Sequence, residues 1–268
     1  MTLKLLDLFS GIGGFSYAAE KIVGGFSTTQ FVELDSYCQK VLRKHWPEVP
    51  IHADITTFTA EPGMFDVITA GFPCQDLSSA GKQRGLQAER SGLFYEVIRL
   101  ARELRPQFVL FENVGNLLSH QNGETFQEVL FQIAKAGFDA EWAVIPASDV
   151  GACHQRKRIW ILAYSNQIRS HGQDLSLSSM CGSDQGGEIE LGGGKKSRAQ
   201  RWSQWPARSK SLSPYWRGYV SQPALCRGDD GLSGRVDRLK ALGNSIVPQV
   251  AAVPLQRIKE LSQNLTLS

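Results

Sequence analysis

Five short apolar runs punctuate the first 164 residues: Leu3-Lys4-Leu5-Leu6-Asp7-Leu8-Phe9, Gln30-Phe31-Val32-Glu33-Leu34, Phe65-Asp66-Val67-Ile68-Thr69-Ala70, Gln107-Phe108-Val109-Leu110-Phe111 and Arg158-Ile159-Trp160-Ile161-Leu162-Ala163. They are rich in β-branched or aromatic side chains and bounded by turn residues, the pattern of buried strands. Helical periodicity fills the gaps. It is clearest over 91–104, where Leu93, Phe94, Val97, Ile98, Ala101 and Leu104 recur on one face and Pro106 follows just beyond the end. Strand and helix alternating in this way predict an α/β fold with a mostly parallel sheet covered on both faces. In such sheets ligands bind beyond the carboxyl ends of the strands, so the residues after each run are the candidates for chemistry.

The pattern changes near Ser165. Residues 165–235 hold 11 of the 26 glycines, and 180–196 shows no apolar periodicity, so this stretch reads as loop-rich. Trp202, Trp205 and Trp216 are interleaved there with Arg198, Arg201, Arg208, Lys210 and Arg217. A small irregular domain with aromatic anchors and a partly disordered insertion both fit that texture. Regular structure is predicted to resume after Arg235, with a helix from Pro248. The chain therefore divides into 1–164 with 236–268 as one unit, and 165–235 as another.

Composition narrows the class. With 268 residues, 42% hydrophobic and 21% charged, and a mean hydropathy of −0.21, the chain can bury a sizeable core, which excludes disorder, collagen and coiled coil. No apolar run nears the roughly 18–20 residues of a membrane span, and MTLKLLDLFSG lacks the features of a signal peptide, so a cytoplasmic location without membrane contact is expected. Cys38, Cys74, Cys153, Cys181 and Cys226 are odd in number and form no CxxC pair, which argues against a disulfide framework and against a metal cluster. The formal charge of +3 is uneven: −3 over 1–164, +4 over 165–235 and +2 over 236–268. Alone, so small a drift could be chance; it would suit an acidic partner at the C-terminal side.

The strand ends carry the chemistry. Asp7-Leu8-Phe9-Ser10-Gly11-Ile12-Gly13-Gly14-Phe15 is a glycine-rich turn opening a helix, which suits close approach of a ligand and equally suits tight packing. Glu33, about 20 residues on, stands where an acidic side chain bonds ribose hydroxyls in nucleotide-type folds. Asp54-Ile55 could face the base of the same ligand, or be a capping Asp with an apolar neighbour. Gly71-Phe72-Pro73-Cys74-Gln75-Asp76-Leu77-Ser78 sets a thiol on a constrained loop at the sheet edge, and Phe111-Glu112-Asn113-Val114 sets a carboxyl at the same edge. Together these are parts for nucleophilic attack assisted by an acid.

These segments, with His154-Gln155-Arg156-Lys157-Arg158-Ile159 and ALGNSIVPQV at 241–250, make the chain similar to the DNA (cytosine-5-)-methyltransferases over about 1–164 and 236–268. The resemblance implies a Rossmann-like methyltransferase sheet with a small irregular target recognition domain at 165–235. It implies S-adenosyl-L-methionine as cofactor, with Phe9, Gly11, Gly13, Glu33, Leu34, Asp54, Ile55, Pro73, Asn244 and Ser245 around it. By the same resemblance Cys74 attacks C6 of a flipped cytosine, Glu112 serves N3, and Arg156 and Arg158 support the thiolate and base. Gln75 and Ser78, with Arg198, Arg201, Arg208 and Arg217, are the expected contacts to double-stranded DNA. The expected form is a monomer without metal, in a restriction–modification setting where a cognate endonuclease is a candidate partner.

One position departs from the family's QxRxR pattern, since His154 stands in place of its first Gln. Three rival readings stay open from sequence. A nicotinamide-dependent dehydrogenase would use the glycine turn and Glu33 but has no use for Cys74 and Glu112. A transfer RNA cytosine-5 methyltransferase fits the same scaffold, and a non-catalytic DNA-binding relative would not need Cys74 and Glu112.

Overall fold

Adjacent residues along the central strands are all inaccessible because both faces of the sheet are covered. Leu5 and Leu6, Val67 and Ile68, and Phe108 and Val109 alternate between two separate cores. In the computed structural model, residues 2–72, 92–165, 186–191, 195–201 and 241–266 are described, with 186–191, 195–201 and 265–266 described by backbone alone. The strands are β1 (Leu3–Leu8), β2 (Phe26–Val32), β3 (Ile51–His52), β4 (Val67–Gly71), β5 (Phe108–Val114), β6 (Phe138–Ile145), β7 (Arg158–Ser165), β8 (Gly186–Leu191) and β9 (Lys195–Arg201). Among the described residues they form one sheet in the order β3-β2-β1-β4-β5-β7-β6-β9-β8.

β3, β2, β1, β4 and β5 run parallel, and β7 is antiparallel to both of its neighbours, β5 and β6. The chain leaves β1 toward β2 and β3, then returns to the other side of β1 as β4. That reversal opens a crevice at the carboxyl ends of β1 and β4. One face of the sheet is covered by α3 (Leu93–Leu104) and α4 (Glu124–Lys135), through Phe94, Val97, Phe126 and Val129. The other is covered by α1 (Gly14–Tyr17), the π-helical turn Ala18–Val23 and α5 (Pro248–Thr266), through Phe15, Ala19, Leu255 and Ile258. α2 (Ser36–His45) follows β2, its N-terminus capped by Asp35, whose carboxylate accepts from Tyr37 N and Cys38 N.

The five predicted strands are present, as are the helix over 93–104 and the helix from Pro248. β2 begins earlier than its apolar run, at Phe26. β6 escaped the pattern because Asp139 and Glu141 interrupt it; both are nevertheless buried, and Glu141 Oε1 lies 3.3 Å from Arg257 Nε on α5. The loop expected over 180–196 is corrected in part: β8 and β9 form an antiparallel hairpin, and β9 adds to β6 in parallel. Ladder hydrogen bonds to an existing sheet order this segment, which is why side-chain periodicity did not announce it. Among the described residues no helix is long and apolar enough to cross a membrane, and no cluster of His, Cys, Asp or Glu could hold a metal ion.

Candidate active site

β1 delivers the chain into a turn with three left-handed residues, Phe9 at φ 53°, Gly11 at 54° and Gly13 at 84°. For Phe9 this conformation costs about 1–2 kcal/mol, a strain that functional turns commonly store. The glycines have different reasons to be glycine. A Cβ on Gly13 would lie 2.5 Å from the Trp46 ring, whereas one on Gly11 would meet nothing within 4 Å. Gly13 is thus required by packing, and Gly11 leaves bare backbone facing a cleft.

That cleft has a volume of about 450 Å³, with Phe9, Gly11 and Glu33 toward one end, Glu112 and Arg158 toward the other, and Asn244 and Ser245 also along its lining. Glu33 fastens the turn, since Oε2 accepts from Gly11 N and Oε1 from Asp35 N, both at 2.7 Å. An ionised carboxylate offers about four lone-pair sites, so hydroxyl donors can still be accommodated. Leu34 beside it is 75% exposed. Asp54 caps the short 3₁₀ turn Ile55–Thr57, where hydrogen bonds from Thr56 N and Oγ1 hold its carboxyl below the usual range. Ile55 is packed in the core. Gly13, Leu34, Asp54 and Ile55 are not among the residues that line the cleft, and the capping reading accounts for Asp54.

The opposite end is built by β5 and β7. Glu112 is buried and pairs with Arg158, Oε1 to Nε at 2.9 Å. Burial pushes its carboxyl above the ordinary value, against the pull of Arg158 and then Arg156. Arg156 points its fork elsewhere: Nη1 donates to Gly243 O at 3.0 Å and Nη2 to Ser245 O at 2.8 Å. Asn113 was not singled out from sequence, although it lies within the FENV segment. Its Nδ2 donates to Phe72 O at 3.1 Å, and its Oδ1 accepts from Val114 N at 2.7 Å. It so fixes the residue at which β4 leads into Pro73-Cys74. Asp7 was likewise missed; its buried carboxylate accepts from Ser16 Oγ and Thr69 Oγ1 beneath the turn.

Pro73, Cys74, Gln75, Ser78, Arg208 and Arg217 lie outside the described residues. Arg198 and Arg201 lie on β9, where register separates them. Arg201 is level with Trp142 and, through β7, with Ile161 and Phe111, one residue before Glu112. Arg198 falls toward the opposite edge of the sheet, beyond the pairing of Ala199 with Ala140. It stands opposite Glu188 of β8.

Residues 3–185 match the sequence model of the C-5 cytosine-specific DNA methylases. The type II methyltransferase M.DsaV of Dactylococcopsis salina is 36% identical over 168 residues, 62% of this chain and 46% of that protein. M.HhaI of Haemophilus parahaemolyticus is 35% identical over 167 residues, 62% of this chain and 50% of that one. The chain thus spans about half the length of these curated relatives. The crystal structure of the S. pombe Dnmt2 methyltransferase shares the fold, with a TM-score of 0.57 at 16% identity over 97% of this chain and 99% of that chain.

Proposed function

The chain belongs to the C-5 cytosine-specific DNA methylase family, and from that premise we propose that it transfers a methyl group from S-adenosylmethionine to C5 of cytosine in a specific double-stranded DNA sequence. The observation that carries the reading is the buried Glu112–Arg158 pair, set in one cleft with a glycine turn fastened by a carboxylate. The cleft suits the cofactor on its own geometry. Its volume lies in the range of small-molecule sites, about 300–1,000 Å³, and the open side of Gly11 lets a ligand approach main chain. Phe9, Gly11, Glu33, Asn244 and Ser245 would hold it, with Gly13, Leu34, Asp54, Ile55 and Pro73 behind or beside them. When bound, S-adenosylmethionine supplies an electrophilic methyl group.

C5 of cytosine is a weak nucleophile inside a duplex, so the base is flipped into the cleft. The Cys74 thiolate adds to C6, forming the S–C6 bond, while the Glu112 carboxyl donates at N3 to the charge that develops there. C5 then has enamine character and can accept a methyl group. Loss of the C5 proton to water, return of the N3 proton to Glu112 and departure of the Cys74 thiolate restore the aromatic ring. Arg158 orients Glu112, and the anchored carbonyl of Phe72 sets where the Cys74 loop begins. Recognition of the target falls to 165–235, where the basic surplus lies, with Arg201 nearer the chemistry than Arg198.

The test uses a DNA library copied with 5-fluorocytosine, which lacks the C5 proton and so traps the adduct. The protein with S-adenosylmethionine should become covalently attached to this DNA, and Cys74→Ala should not, while still binding S-adenosylmethionine. Methylation by Cys74→Ala at the unsubstituted rate would sink the mechanism. Bisulfite sequencing of DNA from cells expressing the protein reads out the target.

A further inference from the structure

We infer that Arg156 is a positioning residue that latches segment 241–245 across the cleft, making that segment an adjustable wall of the S-adenosylmethionine site; the ligand named here rests on the function proposed above. Arg156 Nη1 reaches Gly243 O and Nη2 reaches Ser245 O, contacts that span 87 and 89 residues of sequence. Residues 241–244 are helical. The last carbonyls of a helical turn lack partners within it, and a guanidinium supplies two donors in a fixed fork.

From residue 242 to 245 no side chain is buried, and Leu242 is 59% exposed, so apolar contact holds the segment at its two ends, through buried Ala241 and through Ile246 and Val247 packed on the core, and leaves its middle to the arginine. Its second attachment is Ile246, whose Cγ1 would lie 2.6 Å from a Cβ on Gly14. The segment is therefore pinned between the start of β7 on one side and the glycine turn on the other. A second cavity of about 360 Å³, lined by His154, Arg156, Leu242, Ser245, Ile246 and Val247, adjoins the same segment.

Two arginines on one strand approach thus serve opposite walls. Arg158 turns to Glu112 and to Lys157 O, and Arg156 turns away to the returning chain. Because the fork of Arg156 is committed to main-chain carbonyls, its contribution is to place Asn244 and Ser245 rather than to touch the reacting atoms.

Arg156→Lys keeps the charge and loses the fork, which makes it the decisive variant. In the free protein, hydrogen exchange over 241–247 should quicken at least fivefold, with the amides of β1, β4 and β5 unchanged. Calorimetry should show the Kd for S-adenosylmethionine rising about tenfold, and KM for it should rise more than kcat falls. Exchange and Kd both equal to those of the unsubstituted protein would overturn the latch. Faster exchange in a protein that binds no S-adenosylmethionine even unsubstituted would keep the latch and reject the cofactor reading. Should Arg156→Lys fail to fold, Ile246→Ala frees the same segment from its other side. It should give the same exchange pattern and Kd loss, and no change in either would equally overturn the assignment.

Discussion

Glu112 Oε1 and Arg158 Nε meet at 2.9 Å across the antiparallel pair β5–β7, where Glu112 stands opposite Trp160 and Arg158 opposite Val114. The contact is a diagonal one, and it sets a buried carboxyl and its cation at the carboxyl edge of the sheet. Desolvation raises the acid's pKa and the arginine limits the rise, a balance that keeps a carboxyl able to donate nearer neutral pH.

Glu112→Gln should lower the single-turnover methylation rate by about 10²–10⁴, the usual contribution of a positioned acid, with little change in S-adenosylmethionine affinity. Arg158→Met removes the nearest charge opposing desolvation, so the Glu112 pKa moves further up. The limb of the pH–rate profile belonging to Glu112 should therefore shift to higher pH, read between pH 5 and 9. A limb that stays in place on Arg158→Met would detach it from Glu112.

Asp7 makes folding stability depend on pH. It is fully buried, and desolvation lifts its carboxyl from 3.8 to about 7 despite hydrogen bonds from Ser16 and Thr69. Between those values the folded state holds a proton that the unfolded state has released. Its contribution is therefore most favourable below about pH 4, is lost as pH rises toward 7, and is level above, with a slope of at most about 1.4 kcal/mol per pH unit. Asp7→Asn should flatten that slope in urea unfolding at pH 5, 6, 7 and 8. Equal slopes for the two proteins would remove Asp7 as the cause.

Gly11 and Gly13 should separate packing from cleft access. Gly13→Ala combines a left-handed φ with an overlap on Trp46, itself held by Glu20 through its indole N–H at 2.9 Å. A loss of about 3 kcal/mol or more is expected in thermal or urea unfolding. Gly11→Ala meets open space and should cost about 1–2 kcal/mol from backbone strain alone. Its larger effect should be on S-adenosylmethionine binding, because the added methyl projects where the cleft is open. The reverse order of stabilities would mean the turn relaxes around Trp46.

How far the sequence reached depended on whether a residue's neighbours were close along the chain. β1, β4, β5 and β7 were legible because burial on both faces makes them continuous apolar runs, and the strand-end rule then pointed to Phe9, Glu33 and Glu112. β6 was not legible, since its buried Glu141 is paired with Arg257, 116 residues away. Arg156 and Arg158 were read together as support for a thiolate, yet Arg156, two residues before β7 begins, turns to the main chain of Gly243 and Ser245, while Arg158, the first residue of β7, turns to Glu112. That division is set by where 241–245 returns, which no local pattern encodes. The β8–β9 hairpin depends similarly on the exposed edge of β6 as a template.

The Glu141–Arg257 pair holds α5, and with it the chain that returns to the cleft, against the sheet. Glu141 is fully inaccessible, burial raises its pKa against the pull of Arg257, and its Oε2 has no hydrogen-bond partner among the described residues. Removing only the arginine strands a buried acid, a change that typically costs about 3–5 kcal/mol. Arg257→Leu should show that loss in urea unfolding at pH 8 and a smaller one at pH 5.5. The carboxyl, with its pKa raised further, is protonated more in the folded than in the unfolded chain, so stability falls as pH rises. Glu141→Leu combined with Arg257→Leu should recover most of the loss, because an apolar pair of similar volume has no charge to strand. A deficit in Arg257→Leu that is the same at both pH values would mean that packing of the arginine stem, rather than its charge, holds the helix.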